Sequence, residues 1–257
     1  MKTFKLGSHK LTMYDDITEL PMRRFHVFNK MMLVDSGIGS DLTDVDKHLE
    51  KIKAYIKTKK PDMAIQEVEN LRTNIYFVGT HICPRYLAFA SLVTELDGEK
   101  CEDLSDDGLK RIVDKLDDVP MPALNEEFEA IKKKIDDDLV QFFPALFDEA
   151  SVKEYYDKMR KRTLKILDEI INGKTDEKKE EIERITNELI TYINPYSFSG
   201  QASAEIEFDR QFERMCHIIS YHLNVSPKNY TVTEYYSAFE YIKEIIKANK
   251  ASLKKKF

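Results

Sequence analysis

The chain is short of several things that would have fixed its class. It has 3 cysteines in 257 residues, Cys83, Cys101 and Cys216, and no CxxC pair. That excludes a disulfide framework and points to reduced thiols in a cytosolic or virion setting. Gly and Pro number only 8 each, which disfavours a many-turned β protein and favours long helices. No apolar run approaches the ~20 residues of a membrane span. The opening KTFKLGSHK lacks the apolar core of about 7–15 residues that a signal peptide carries. No excess of positive charge exists either, since the formal net charge is -6. A dedicated phosphate-backbone binder draws most of its affinity from such an excess. No repeat of about 20–50 residues is visible, so a solenoid is not supported.

What remains is a 42% hydrophobic, 33% charged chain long enough to bury roughly three quarters of its unfolded surface without staples. The pattern predicts an all-α, multi-helix bundle of roughly eight to ten helices with a short N-terminal β-hairpin. In residues 3–14, Phe4 and Leu6 face Leu11 and Met13 across a Gly7-Ser8 turn. The first helix starts near Leu20, with Pro21 in its first turn. Its stripe is Phe25, Phe28, Met32 and either Leu33 or Val34, and it stops at Asp35-Ser36-Gly37. The second carries Leu42, Val45, Leu49, Ile52 and Ile56 at spacings of 3, 4, 3, 4, a narrow seam suited to another helix at a shallow angle. A third is lined by Ile65, Val68, Leu71 or Arg72, Ile75 and Val78. Residues 85–96 (RYLAFASLVTEL), apolar on nearly all sides, read as a buried helix ended by Asp97-Gly98.

Ser105 caps a short helix. The VPMPAL stretch at 119–124 is either a domain boundary or a turn, dividing an N-terminal half, 15–118, from a C-terminal half, 123–257, behind a hairpin arm at 1–14. Asn125–Phe143 is one helix, and 151–171 with 176–193 form a helical hairpin, with stripes Val152, Tyr156, Met159, Ile166, Ile170 and Ile182, Ile185, Leu189, Ile193. Residues 194–203 are a loop. Two helices end the chain, with Thr231 or Thr233 capping the last.

The candidate chemistry is thin. Cys216-His217 diverge by about 100° on a helix, and His222 falls on the stripe Phe208, Phe212, Met215, Ile219, which reads as a core-edge histidine. His81 with Cys83 makes at most half a zinc site. His26 and His48 could approach each other, but nothing supplies a ligand set. Residues 36–41 (SGIGSD) lack the Lys-Ser/Thr of a P-loop, and Asp35 and Asp41 would repel an anion, so the stretch reads as an elbow. No catalytic, cofactor-binding or metal residue is assigned, and no cofactor is expected. The Tyr- and Phe-rich ending has Glu rather than Arg interleaved, so it suits core or a subunit interface better than a base-stacking platform. The candidate interface is Phe4, Leu6, Leu11, Met13, Tyr230, Tyr235, Tyr236 and Phe239.

The segment ITELPMRRFHVFNKMMLVDSGIGSDLTDVDKHLEKI, continued by AIQEVENLRTNIYFVGTHICPRYLAFASLVTELDGEKCEDLS, resembles structural and assembly proteins of tailed bacteriophages, including those of gut Bacteroides-type hosts, over roughly residues 17–110. The ending MCHIISYHLNVSPKNYTVTEYYSAFEYI is loosely similar to C-terminal segments of phage tail-assembly proteins. The resemblance implies a virion component of the head–tail or tail region, made in the host cytoplasm. It would contact other phage structural proteins in several copies, reading no nucleic-acid sequence and touching no membrane. An assembly chaperone absent from the particle is the alternative, and an intracellular enzyme a distant third.

Overall fold

The structure, a computed structural model, describes all residues except 81, 82, 148, 149, 193, 202 and 255–257. It is predominantly helical with one small antiparallel sheet, in the order β1 (Lys2–Leu6), β2 (His9–Met13), α1 (Met22–Ile38), α2 (Thr43–Lys57), α3 (Pro61–Gly79), α4 (Pro84–Leu92), β3 (Val93–Leu96), β4 (Glu99–Lys100), α5 (Asp106–Lys115), α6 (Met121–Phe142), α7 (Pro144–Phe147), α8 (Ala150–Asn172), α9 (Asp176–Ile190), α10 (Ala204–Leu223) and α11 (Val232–Lys254). No helix among the described residues is long and apolar enough to cross a membrane. The chain divides into two compact units of interleaved segments. The first comprises Met1–Leu33, Pro84–Pro144 and Glu205–Phe257, and the second Val34–Cys83 and Ala145–Ala204. The 119–124 stretch lies inside the first, with Val119 and Leu124 buried.

In the first unit the predicted hairpin forms, with Phe4 opposite Leu11 and Gly7 at positive φ in the turn. It is not an arm. β2 pairs on its other edge with β3, giving the order β1-β2-β3-β4. The helix expected over 85–96 therefore ends at Leu92 and its tail becomes a strand. An apolar run covered on both sides has no period to separate strand from helix. The local cue lay in Asp97-Gly98, both at positive φ in the β3–β4 turn, which is the Asp-Gly signature of a tight hairpin. Around this sheet sit Phe25, Phe28, Phe89, Leu92, Phe128, Ile131 and Ile135, each at most 3% exposed. Arg24 is also buried. Its guanidinium donates to the carbonyls of Ser91 and Val93, both at 2.9 Å, and to that of Cys101, so the charge rests on carbonyl dipoles where α4 gives way to β3. Thr231 and Glu234 cap α11 reciprocally, the Glu234 amide donating to Thr231 Oγ1 and the Thr231 amide to Glu234 Oε2, as the T-x-x-E spacing dictates.

The second unit departs further from expectation. α1 runs through Asp35-Ser36-Gly37 to Ile38, and the break falls at Gly39, at φ +88°. Gly37 lies within the helix, and the Phe198 ring occupies the place where a Cβ would stand. α3 turns the opposite way from its apolar stripe. Ile65, Val68, Ile75 and Tyr76 are exposed, while Ala64, Glu67, Asn70 and Asn74 are buried. The inward row is held by hydrogen bonds. His48 from α2 reaches Glu67 and the Ile38 carbonyl, Lys51 pairs with Glu67 at 3.2 Å, and Asn70 donates to Glu67 and to the Tyr196 carbonyl. Asn74, at 0% exposure, has neither amide atom hydrogen-bonded among the described residues. The α8–α9 hairpin forms as predicted, with Thr175 capping α9. Yet Met159 and Ile170 of its expected stripe are exposed, beside Leu164, Leu167 and Ile171. Val152, Tyr156 and Ile193 of those stripes have no described side chain.

Candidate functional site

Three helices of the first unit enclose a cleft of about 280 Å³. α1 gives Met22, His26 and Asn29, α10 gives Phe208, Gln211, Phe212 and Met215, and α11 gives Tyr235, Tyr236 and Phe239. The backbone ties α11 to the start of α1. The Met22 amide donates to the Tyr230 carbonyl at 2.7 Å, and the Val232 amide to the Leu20 carbonyl at 2.9 Å. The aromatic positions on α10 and α11 then fall toward α1 because they repeat every three to four residues.

His26 is the polar centre of this wall. Its ring stacks almost parallel to Phe212, 4.0 Å between centroids, and to Phe208, 4.9 Å. Asp209 lies between those two phenylalanines in sequence. Its carboxylate takes a hydrogen bond from His26 Nε2 at 2.7 Å and one from Lys30 at 3.0 Å. Burial holds the His26 imidazole below its ordinary range, against the opposing pull of the Asp209 hydrogen bond. Burial raises the Asp209 carboxyl, but the bonds from His26 and Lys30 bring it below the ordinary carboxylate range. Near neutral pH the pair is thus a neutral ring with one N–H on a carboxylate, oriented and salt-bridged at the rim. Tyr235 meets Phe212 at 6.0 Å and Tyr236 at 5.5 Å. Both phenols are pushed up by burial, Tyr236 to about 12. They therefore stay protonated.

Of the predicted interface residues, Tyr235, Tyr236 and Phe239 line this cleft together. Tyr230 is half-buried nearby in the chain and acts through its backbone. The hairpin residues need correction. Leu6 on β1 and Leu11 and Met13 on β2 are 5%, 0% and 0% exposed, because they share one face of the sheet by register and that face is core. Phe4 alone is half-exposed, with the Lys2 ammonium 4.8 Å above its ring.

The remaining candidates separate. Cys216 is buried and its thiol is pushed up to about 11, chiefly by burial and then by Glu213. His217 is exposed, and so is His222, which stacks edge-on to Tyr221 instead of lying at the core edge. His81 is outside the described residues. His26 and His48 do not share partners: the first holds Asp209, the second Glu67. Among the described residues no group of three or more His, Cys, Asp or Glu is placed to hold a metal. His26 was weighed from sequence only beside His48, and its place between the two phenylalanines and Asp209 was not foreseen. Its signal was Phe-Asp-x-x-Phe at 208–212, two rings one turn apart with a carboxylate between them.

Compared with models of known protein families, with curated proteins and with solved structures, the chain matches none.

Proposed function

We propose that this chain is a non-enzymatic component of a tailed-phage particle, in the head–tail or tail region, that works by protein–protein contact. The observation that carries the contact reading is the cleft around His26. Its walls are Phe, Tyr and Met, and its few polar groups are a neutral imidazole, two phenols and two amides. Such walls take up an apolar side chain and fix its orientation by one or two hydrogen bonds, the arrangement of an interface anchor pocket. The phage setting rests on the resemblance over residues 17–110.

Peptides of this chain in gradient-purified particles are the expected result, measured by mass spectrometry. Their absence from particles, with the protein present in infected cells, would sink the structural reading and leave the assembly chaperone. Filling the cleft tests the contact. Met215→Trp should fold normally and lower the amount recovered in particles, and unchanged recovery would mean that the cleft is not the contact.

A further inference from the structure

The seam on α2 is one unfinished surface of the second unit. Leu42, Val45, Leu49, Ile52 and Ile56 occupy alternate three- and four-residue steps, the a and d positions of two heptads. In the folded chain Leu42 is 68% exposed, Leu49 39% and Ile56 63%, with Val45 and Ile52 half-buried. A coiled-coil seam of this kind is rarely left to water, since each uncovered Leu or Ile forgoes the free energy of its burial. The two flanks of the seam differ. On one side, the g positions, His48 and Tyr55 are buried within the unit, where His48 bonds Glu67 of α3. On the other, the e positions, Asp46 and Lys53 are exposed.

We infer that α2 pairs with α2 of a second copy of this chain, antiparallel, through this seam. The orientation follows from the flanks. A parallel pair sets each e residue beside a g residue of its partner, but His48 and Tyr55 at g are already covered. It would also bring Asp46 toward Asp41 of the other copy. An antiparallel pair sets e beside e. Val45 then packs in a layer with Ile56 of the second copy, and Leu49 with Ile52. Asp46 meets Lys53 of the second copy, and Lys53 meets its Asp46. The two-fold axis makes both ion pairs from one, so the surface is complementary to itself. The pairing belongs to the second unit and does not depend on the cleft around His26, so failure of either leaves the other standing.

Light scattering on the eluted full-length chain, across a range of concentrations, reads the mass. A mass approaching twice that of the chain is expected at high concentration, falling toward the monomer on dilution. Leu49→Glu should return the monomer mass at every concentration while leaving the circular dichroism unchanged, because Leu49 is exposed. Asp46→Lys should weaken the dimer by roughly tenfold or more, by setting like charges together, and Asp46→Lys with Lys53→Asp should restore it. A wild-type chain monomeric at the highest concentration overturns the inference. So does a dimer indifferent to Leu49→Glu, or a charge swap that fails to restore what the single change lost.

Discussion

His48 Nδ1 and Glu67 Oε1 stand 2.7 Å apart with both side chains almost completely buried. The other ring nitrogen faces the Ile38 carbonyl at 2.8 Å. The ring thus bridges the Glu67 carboxylate of α3 and the last carbonyl of α1. Burial raises the Glu67 carboxyl, but the His48 hydrogen bond and the Lys51 charge bring it below its ordinary range. A buried pair is costly to break from one side, because the survivor keeps its desolvation penalty. His48→Leu should therefore cost about 3–5 kcal/mol in urea unfolding, and His48→Leu with Glu67→Leu should recover much of that loss. A double variant no better than the single would show that the pair is not the seat of the cost.

Asn74 lies two turns along the same face with its amide unsatisfied among the described residues. An orphaned buried polar group costs about 1–3 kcal/mol. Asn74→Leu keeps the number and branching of the side-chain heavy atoms and removes the orphan. The expected outcome is a rise of that order in unfolding free energy, and a fall would mean the amide has a partner such as bound water.

The β-hairpin turn carries a pH dependence. His9 Nδ1 is 2.6 Å from Asp97 and Nε2 is 2.9 Å from Asp118. The hydrogen bond to Asp97, then that to Asp118, raises the imidazole above its ordinary value of 6.5. The same bonds, Asp97's aided by the Lys10 amide and Asp118's by Ser8, lower the two carboxyls below 3.8. A raised histidine contributes stability that is complete below its unfolded value and is lost as pH rises through the folded value. Lowered aspartates contribute above their unfolded value and lose it as pH falls through the folded one. The first unit should thus gain most from this clamp between about pH 4 and 6.5, and soften above. Thermal melts of wild type and His9→Gln should diverge in that window and converge at pH 9. Parallel curves throughout would show the clamp to be inert.

Gly39 ends α1 at φ +88°, and a Cβ there would lie within 2.6 Å of the Asp44 carboxyl. That carboxyl accepts from the Ser40 amide at 2.8 Å and from the Asp41 amide at 3.3 Å, so it organises the entry to α2. Gly39→Ala therefore meets a left-handed backbone, at about 1–2 kcal/mol, and a steric conflict besides. A lower midpoint in denaturant is expected, with Gly173→Ala as the comparison, since Gly173 shares the positive φ but has open space around it. Equal losses in the two variants would assign the whole cost to backbone strain.

Much of this was legible residue by residue. Ser105 caps α5 and Thr231 caps α11, where polar side chains precede an apolar period. Gly7-Ser8 turns the hairpin. These rest on forces acting within one turn of chain, which sequence spacing reports directly. Less legible were β3, hidden in a run apolar on every side, and its pairing with β2, which sets Met13 opposite Val93. The His26 wall also escaped, because its phenylalanines stand on α10 and its carboxylate partner is visible only once α1 lies alongside.

The sequence by itself determined the elements: which stretches are helical, where most of them start, and that the N-terminus pairs as strands. Periodicity does this because a helix with one apolar face declares its pitch in the order of its residues. Only the tertiary structure decided which face meets the interior. On α3 it chose Glu67, Asn70 and Asn74 over Ile65, Val68 and Ile75, because His48, Lys51 and the Tyr196 carbonyl converge there to satisfy much of that polar face. The same choice left the α2 seam outward. An apolar stripe states that burial is favourable, and the partner that supplies it is settled by what the rest of the chain has already covered.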